Sequence, residues 1–111
     1  MLNTRELRGI ELRYALTLYL AQHGRQTIPQ LIRAMTHQGF HFGGRPSKAI
    51  SDALRWEIGR DRVRHISRGV YGPGAIPRST EYRIHQRVIA MREEVRGRPF
   101  EYLRWDGPTW S

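Results

Sequence analysis

The segment GGRPSKAISDALRWEIGRDRVRHISRGVYG, residues 43–72, decides how this chain is read. Pro46 suits the first turn of a helix, where its missing N–H would have no partner anyway. Ile50, Ala53, Leu54 and Ile58 recur at helical spacing and predict a helix over residues 46–58 with one buried stripe. Lys48, Ser51, Asp52 and Arg55 fall at i, i+3, i+4 and i+7, so they share the opposite face. Those side chains can reach base edges and phosphates. Gly59 is the expected stop. Residues 62–66 (RVRHI) and 70–72 (VYG) are β-rich and flank Ser67-Arg68-Gly69, which predicts a hairpin. A polar-faced helix followed by an Arg-rich hairpin is the sequence form of a winged helix.

Charge points the same way. The chain has 111 residues, 19 basic against 10 acidic, a net charge of +9. Its sequence pI of about 11.2 lies above the value of roughly 9 that flags nucleic-acid binders. Residues 41–78 hold eight basic and three acidic residues, while residues 79–111 hold six and five, so the excess sits on the predicted helix and hairpin. Lys48 is the only lysine; the other basic residues are arginines. Guanidinium forks suit phosphate and guanine, although a GC-rich genome gives the same bias. The absence of cysteine removes disulfides, thiolate catalysis and Cys-based zinc sites. No apolar run approaches the roughly 18 residues of a membrane span, and no signal layout opens the chain. The expected location is the cytoplasm, on the nucleoid.

Working outward, Asn3 with Glu6 reads as a capping box for a first helix running to about His23, with Gly24 as its stop. Leu7, Ile10, Tyr14 and Leu18 form one stripe, and Leu12, Leu16, Tyr19 and Leu20 a second, so this helix is expected at the centre of the core. Gly9 in its first turns should cost about 1 kcal/mol relative to alanine. Thr27 with Gln30 repeats the capping pattern for a second helix over residues 28–38, burying Ile28, Leu31, Ile32 and Met35 and closed by Gly39. Phe40 and Phe42 in the following link are expected to plug the core. Gly43-Gly44 reads either as a flexible turn or as a close approach for a phosphate.

After the break at residues 72–77, Ser79 or Thr80 is expected to cap a fourth helix to about Arg96. The domain reading is therefore residues 1–77 as the winged unit and residues 78–111 as a C-terminal helix and tail. Ile84, Val88, Met91 and Val95 form a stripe with two readings: a short dimer seam, or a face packed on its own domain. The tail carries Phe100, Tyr102, Trp105 and Trp110 and is too aromatic for a solvated segment. Trp105 and Trp110 are expected to cover this chain or to dock on a partner protein.

Residues 25–72 resemble the HARE-type winged helix-turn-helix domain. The likeness rests on the TIPQLIRAM second helix, a glycine-containing link, the AISDALRWEI third helix and a hairpin ending RGVYG. It covers under half of the chain and does not include the fourth helix or the tail. It implies a mainly α fold with a small β-hairpin wing and DNA binding, some similar domains being thought to bind proteins instead; double-stranded DNA is the expected partner here, and no cofactor is expected.

In that arrangement the third helix lies in the major groove and the wing touches backbone or minor groove. Lys48, Ser51, Asp52 and Arg55 become the groove-facing set. Arg55 is able to fork onto guanine and Asp52 to accept from cytosine, although Asp52 also reads as a plain i, i+4 partner of Lys48. Arg45 and Ser47 stand at the helix start, where phosphates are commonly held. Arg62, Arg64 and Arg68 are the expected wing contacts. Trp56 is ambiguous: at the stripe's edge it reads more often as a core residue than as a base-stacking group. Catalysis finds no support. His23, His37, His41, His65 and His85 are scattered, Gly39 separates His37 from His41, and Glu93-Glu94 reads as a solvated face. The expected protein is a non-enzymatic transcriptional regulator or nucleoid-associated factor. Its competitors are a protein-interaction adaptor, which would not need the charge cluster, and an RNA-binding winged helix.

Overall fold

The computed structural model describes residues 4–95. They form an α/β protein of four helices and two small sheets. In chain order the elements are β1 (Arg5–Leu7), α1 (Gly9–His23), β2 (Gln26–Thr27), α2 (Ile28–His37), β3 (Phe40–Phe42), α3 (Pro46–Gly59), β4 (Val63–Ser67), β5 (Val70–Pro73) and α4 (Arg78–Val95). No helix among the described residues is long and apolar enough to cross a membrane.

Helix α1 is the axis of the core. Leu12, Tyr14, Ala15, Leu16, Leu18 and Leu20 are all buried, so it is covered on most sides; of the two stripes, Leu7 falls in β1 and Ile10 is exposed. Helices α3 and α4 pack against it. Its start differs from the expected one. The chain does not become helical after Asn3, which lies outside the described residues. Instead, β1 pairs in parallel with β3, Arg5 opposite Phe40 and Leu7 opposite Phe42. Leu7 and Phe40 are both fully buried by this pairing. Glu6 completes no capping box; its carboxylate lies against Gly43, where a Cβ would collide with it. Helix α1 begins only at Gly9, whose φ of 60° is in the left-handed region. Glycine there is the corner that turns strand into helix, a conformation that other residues adopt at a cost.

Helix α2 has the expected cap. Thr27 accepts from the Gln30 backbone, and the Gln30 side chain accepts from the Thr27 backbone. Leu31 and Met35 are fully buried, with Ile28 and Ile32 packed partly against the core. Thr27 also serves in β2, which pairs antiparallel with β5; β5 in turn pairs with β4, giving the strand order β2-β5-β4.

Helix α3 opens at Pro46 as expected but runs through Gly59, and Arg60 follows it as the cap. The left-handed residue that redirects the chain is Asp61, with φ 63°, rather than Gly59. Here the hairpin's neck closes: Gly74 donates to the Arg62 carbonyl at 3.0 Å and Ala75 to the Asp61 carbonyl at 2.8 Å. A Cβ on Gly74 would drive into the backbone of Asp61 and Arg62, so only glycine lets the two strands approach this closely.

Helix α4 begins at Arg78, with Ser79 and Thr80 inside its first turn rather than capping it. Ile84, Val88 and Met91 are buried in the core, and Val95 is packed against its edge. The stripe that also read as a dimer seam is therefore covered by this chain's own core. The expected solvated pair Glu93-Glu94 divides: Glu93 is buried, and Glu94 accepts from Arg5 at 2.6 Å. Arg5 also forks onto Glu11, which Arg87 reaches from α4 at 3.0 Å. These pairs tie β1, α1 and α4 together. The hydrogen bonds that Arg5 donates to Glu11 hold the Glu11 carboxyl below its ordinary range and raise the Arg5 pKa.

Candidate nucleic-acid interface

Because Ile50, Ala53 and Leu54 point inward, the opposite side of α3 is left to solvent. Arg45 at the N-cap, Ser47 and Lys48 are exposed on its first turn. The Arg45 side chain makes no capping hydrogen bond to these N–H groups. Lys48 donates to Asp52 at 2.8 Å, and this hydrogen bond lowers the Asp52 carboxyl below its ordinary range. Arg55 stands 3.8 Å from the same carboxylate with 80% of its side chain exposed. Ser51 is half-buried. The Lys48–Asp52 pair has the geometry of the plain i, i+4 bridge, with Arg55 left open beside it.

The hairpin follows immediately. In β4–β5, Arg64 pairs opposite Gly72 and His65 opposite Tyr71, with the two rings 5.1 Å apart. Arg64 and Arg68 are exposed, as is Arg60 at the end of α3. Arg62 behaves differently from its expected role. Its Nε donates to Glu57 Oε1 at 2.7 Å and its Nη2 to Oε2 at 2.9 Å, a bidentate fork. Glu57 is fully buried. It also accepts from Thr17 Oγ1 at 2.9 Å, and Arg13 stands 3.6 Å away. The hydrogen bonds from Arg62 to Glu57 raise the arginine's pKa. Arg62 is thus an internal anchor, not a free wing cation. The network joins α1, α3 and the foot of the hairpin in one knot.

No family model, curated protein or solved structure matches this chain. Its site is therefore read from its own residues.

The structure gathers Lys48, Asp52 and Arg55 on one side of α3 with Arg45 and Ser47 exposed at its start, and it places Arg64 and Arg68 on the adjoining hairpin. It withdraws Arg62. Trp105 and Trp110 lie outside the described residues. Sequence reasoning missed Glu57 as a core residue, though a signal was present: it stands at i+7 from Ile50 and i+3 from Leu54, in a slot the buried stripe would give to an apolar side chain. Arg60, one of the eight basic residues in 41–78, is exposed at the end of α3. Trp56, expected in the core, is 59% exposed. Its position one past Arg55 and two past Leu54 sets it on the shoulder between the polar and apolar faces, where spacing alone does not settle exposure.

Proposed function

We propose that this is a winged-helix DNA-binding protein that neutralises phosphates with α3 and the β4–β5 hairpin and inserts α3 in the major groove of double-stranded DNA. The observation that carries this reading is the division of the arginines. Arg62 is used internally to fix the hairpin on α3, whereas Arg45, Lys48, Arg55, Arg60, Arg64 and Arg68 remain exposed around the same helix and hairpin. A surface that needed charge only for solubility would have no reason to concentrate six cations along one helix and its adjoining hairpin. The strand order β2-β5-β4 around a helix pair, and the likeness of residues 25–72 to HARE-type winged domains, support the same fold. Arg55 is the candidate for a fork onto guanine. Arg45 and Ser47 suit a phosphate at the helix start. The role is that of a regulator or nucleoid-associated factor, without catalysis or cofactor, in the cytoplasm.

If those six cations meet six phosphates, affinity for random duplex DNA falls about a thousandfold between 50 and 200 mM salt. Fluorescence anisotropy measures this directly. In Arg55→Ala/Arg64→Ala/Arg68→Ala the slope of log Kd against log salt should drop by about 3. No binding to duplex DNA at low salt would overturn the reading and bring a protein-docking role forward.

A further inference from the structure

The most exposed large apolar side chain among the described residues is Trp56, at 59%, against 41% for Ile10 and 39% for Ile66. It is not bare. The Arg13 guanidinium, from α1, lies 5.2 Å from the ring centroid, and that of Arg60 lies 6.0 Å away. Both are within cation–π range. Arg13 also stands within ion-pair distance of the buried Glu57, at 3.6 Å. The ring therefore has a built surround.

Two shallow recesses meet at this indole. One, of about 740 Å³, runs along α3 past Lys48, Asp52, Arg55 and Arg60. The other, of about 400 Å³, lies between α3 and the β1–α1 corner and is lined by Arg8, Arg13 and Gly44. Together the two linings hold five basic residues and two acidic ones, Glu6 and Asp52. That balance disfavours a second copy of this chain, which would bring the same charge. It suits a flat apolar ligand carried on an anionic chain. A paired base shows the major groove only its edge, where the apolar content is a thymine methyl. An unpaired base shows its whole face, and tryptophan with flanking arginines is the surface that stacks on one.

We propose that Trp56 is a stacking platform for one unpaired base of DNA, adjoining the duplex held by α3 and the hairpin. This rests on the duplex-binding reading above. The preferred ligand is then a duplex with a single-stranded overhang.

The test uses the full chain and one duplex in three forms: blunt, with a short overhang, and with the same overhang made of abasic residues. The abasic form keeps the phosphates and removes the ring faces. Anisotropy titrations should show the normal overhang bound about tenfold tighter than the abasic one. Trp56→Ala should level the two, and Trp56→Phe should keep most of the difference. Equal affinity for normal and abasic overhangs in the unaltered protein would overturn the stacking site, and that comparison needs no variant. A difference that survives Trp56→Ala would overturn it too. Binding of the blunt duplex reports separately on the duplex reading: if it binds while the overhangs are equal, the stacking site alone falls, and if no DNA binds, both fall.

Discussion

Arg62 and Arg64 are two residues apart, and they do opposite work. The Arg62 side chain is 11% exposed and grips a carboxylate from which water is excluded; Arg64 is open to solvent. Strand alternation would put both on one face. Arg62, however, stands just before β4 begins and directly after the left-handed Asp61, so the strand's period does not reach it. What decides an arginine's role here is the presence of a buried partner on a neighbouring helix. The difference teaches that charge density locates a binding face but does not say which cations are available to it.

The largest way to break this contrast is to remove the internal partner. Glu57→Ala leaves Arg62 without its carboxylate and Thr17 without an acceptor. Breaking a buried pair by deleting one member costs roughly 3–5 kcal/mol. In a domain of this size that corresponds to a Tm lower by more than about 10 °C, measured by circular dichroism. The triple variant of Arg55, Arg64 and Arg68 should leave Tm nearly unchanged while losing DNA affinity. If both variants lost stability alike, the division between internal and external arginines would fail.

A smaller effect isolates the third arm of the knot. Thr17→Val keeps the shape of the side chain and removes its hydroxyl from Glu57. Leaving a buried acceptor short of one donor costs about 1–3 kcal/mol, read from urea unfolding at constant m-value. Gly9→Ala should cost about 1–2 kcal/mol, because the left-handed corner penalises a Cβ. Under the reading of Gly9 as an ordinary helical residue, the same change would be stabilising, so the sign of the shift decides between the two.

The Arg5–Glu11 pair sharpens the contrast through pH. The Glu11 carboxyl is lowered from its ordinary value, so its contribution is complete above that value and is lost as pH falls through the lowered folded one. The Tm deficit of Arg5→Ala relative to the unaltered protein should be full at neutral pH and should shrink under acid conditions, below about pH 4. The smallest effect is at Asp52. Asp52→Asn frees Lys48 from an exposed pair, so stability should hold while the salt slope of DNA binding steepens by about 1.

Much of the fold is legible in local chemistry. The Thr27–Gln30 box, Pro46 at the start of α3 and the double stripe of α1 each specify their element without help from distant residues. The stripe on α4 is legible as a buried face, but its partner is not, because a dimer and a core present the same spacing. The first residues are misread for a physical reason: three residues of strand show no periodicity, and β1 exists only because Phe40–Phe42 offers it an edge after Gly39. At the candidate site, the exposed cations follow from helical spacing. The fates of Arg62, Glu57 and Trp56 do not, since each depends on what α1 brings alongside.

The Arg62–Glu57 fork has a consequence for association itself. It sits where a hairpin would otherwise swing against its helix. With that joint fixed, α3 and the hairpin would meet the proposed duplex as one rigid surface. Less orientational freedom is then surrendered on docking, and a larger share of the contact energy survives as affinity. A single carboxylate that never touches the ligand would in this way set how tightly the ligand is held.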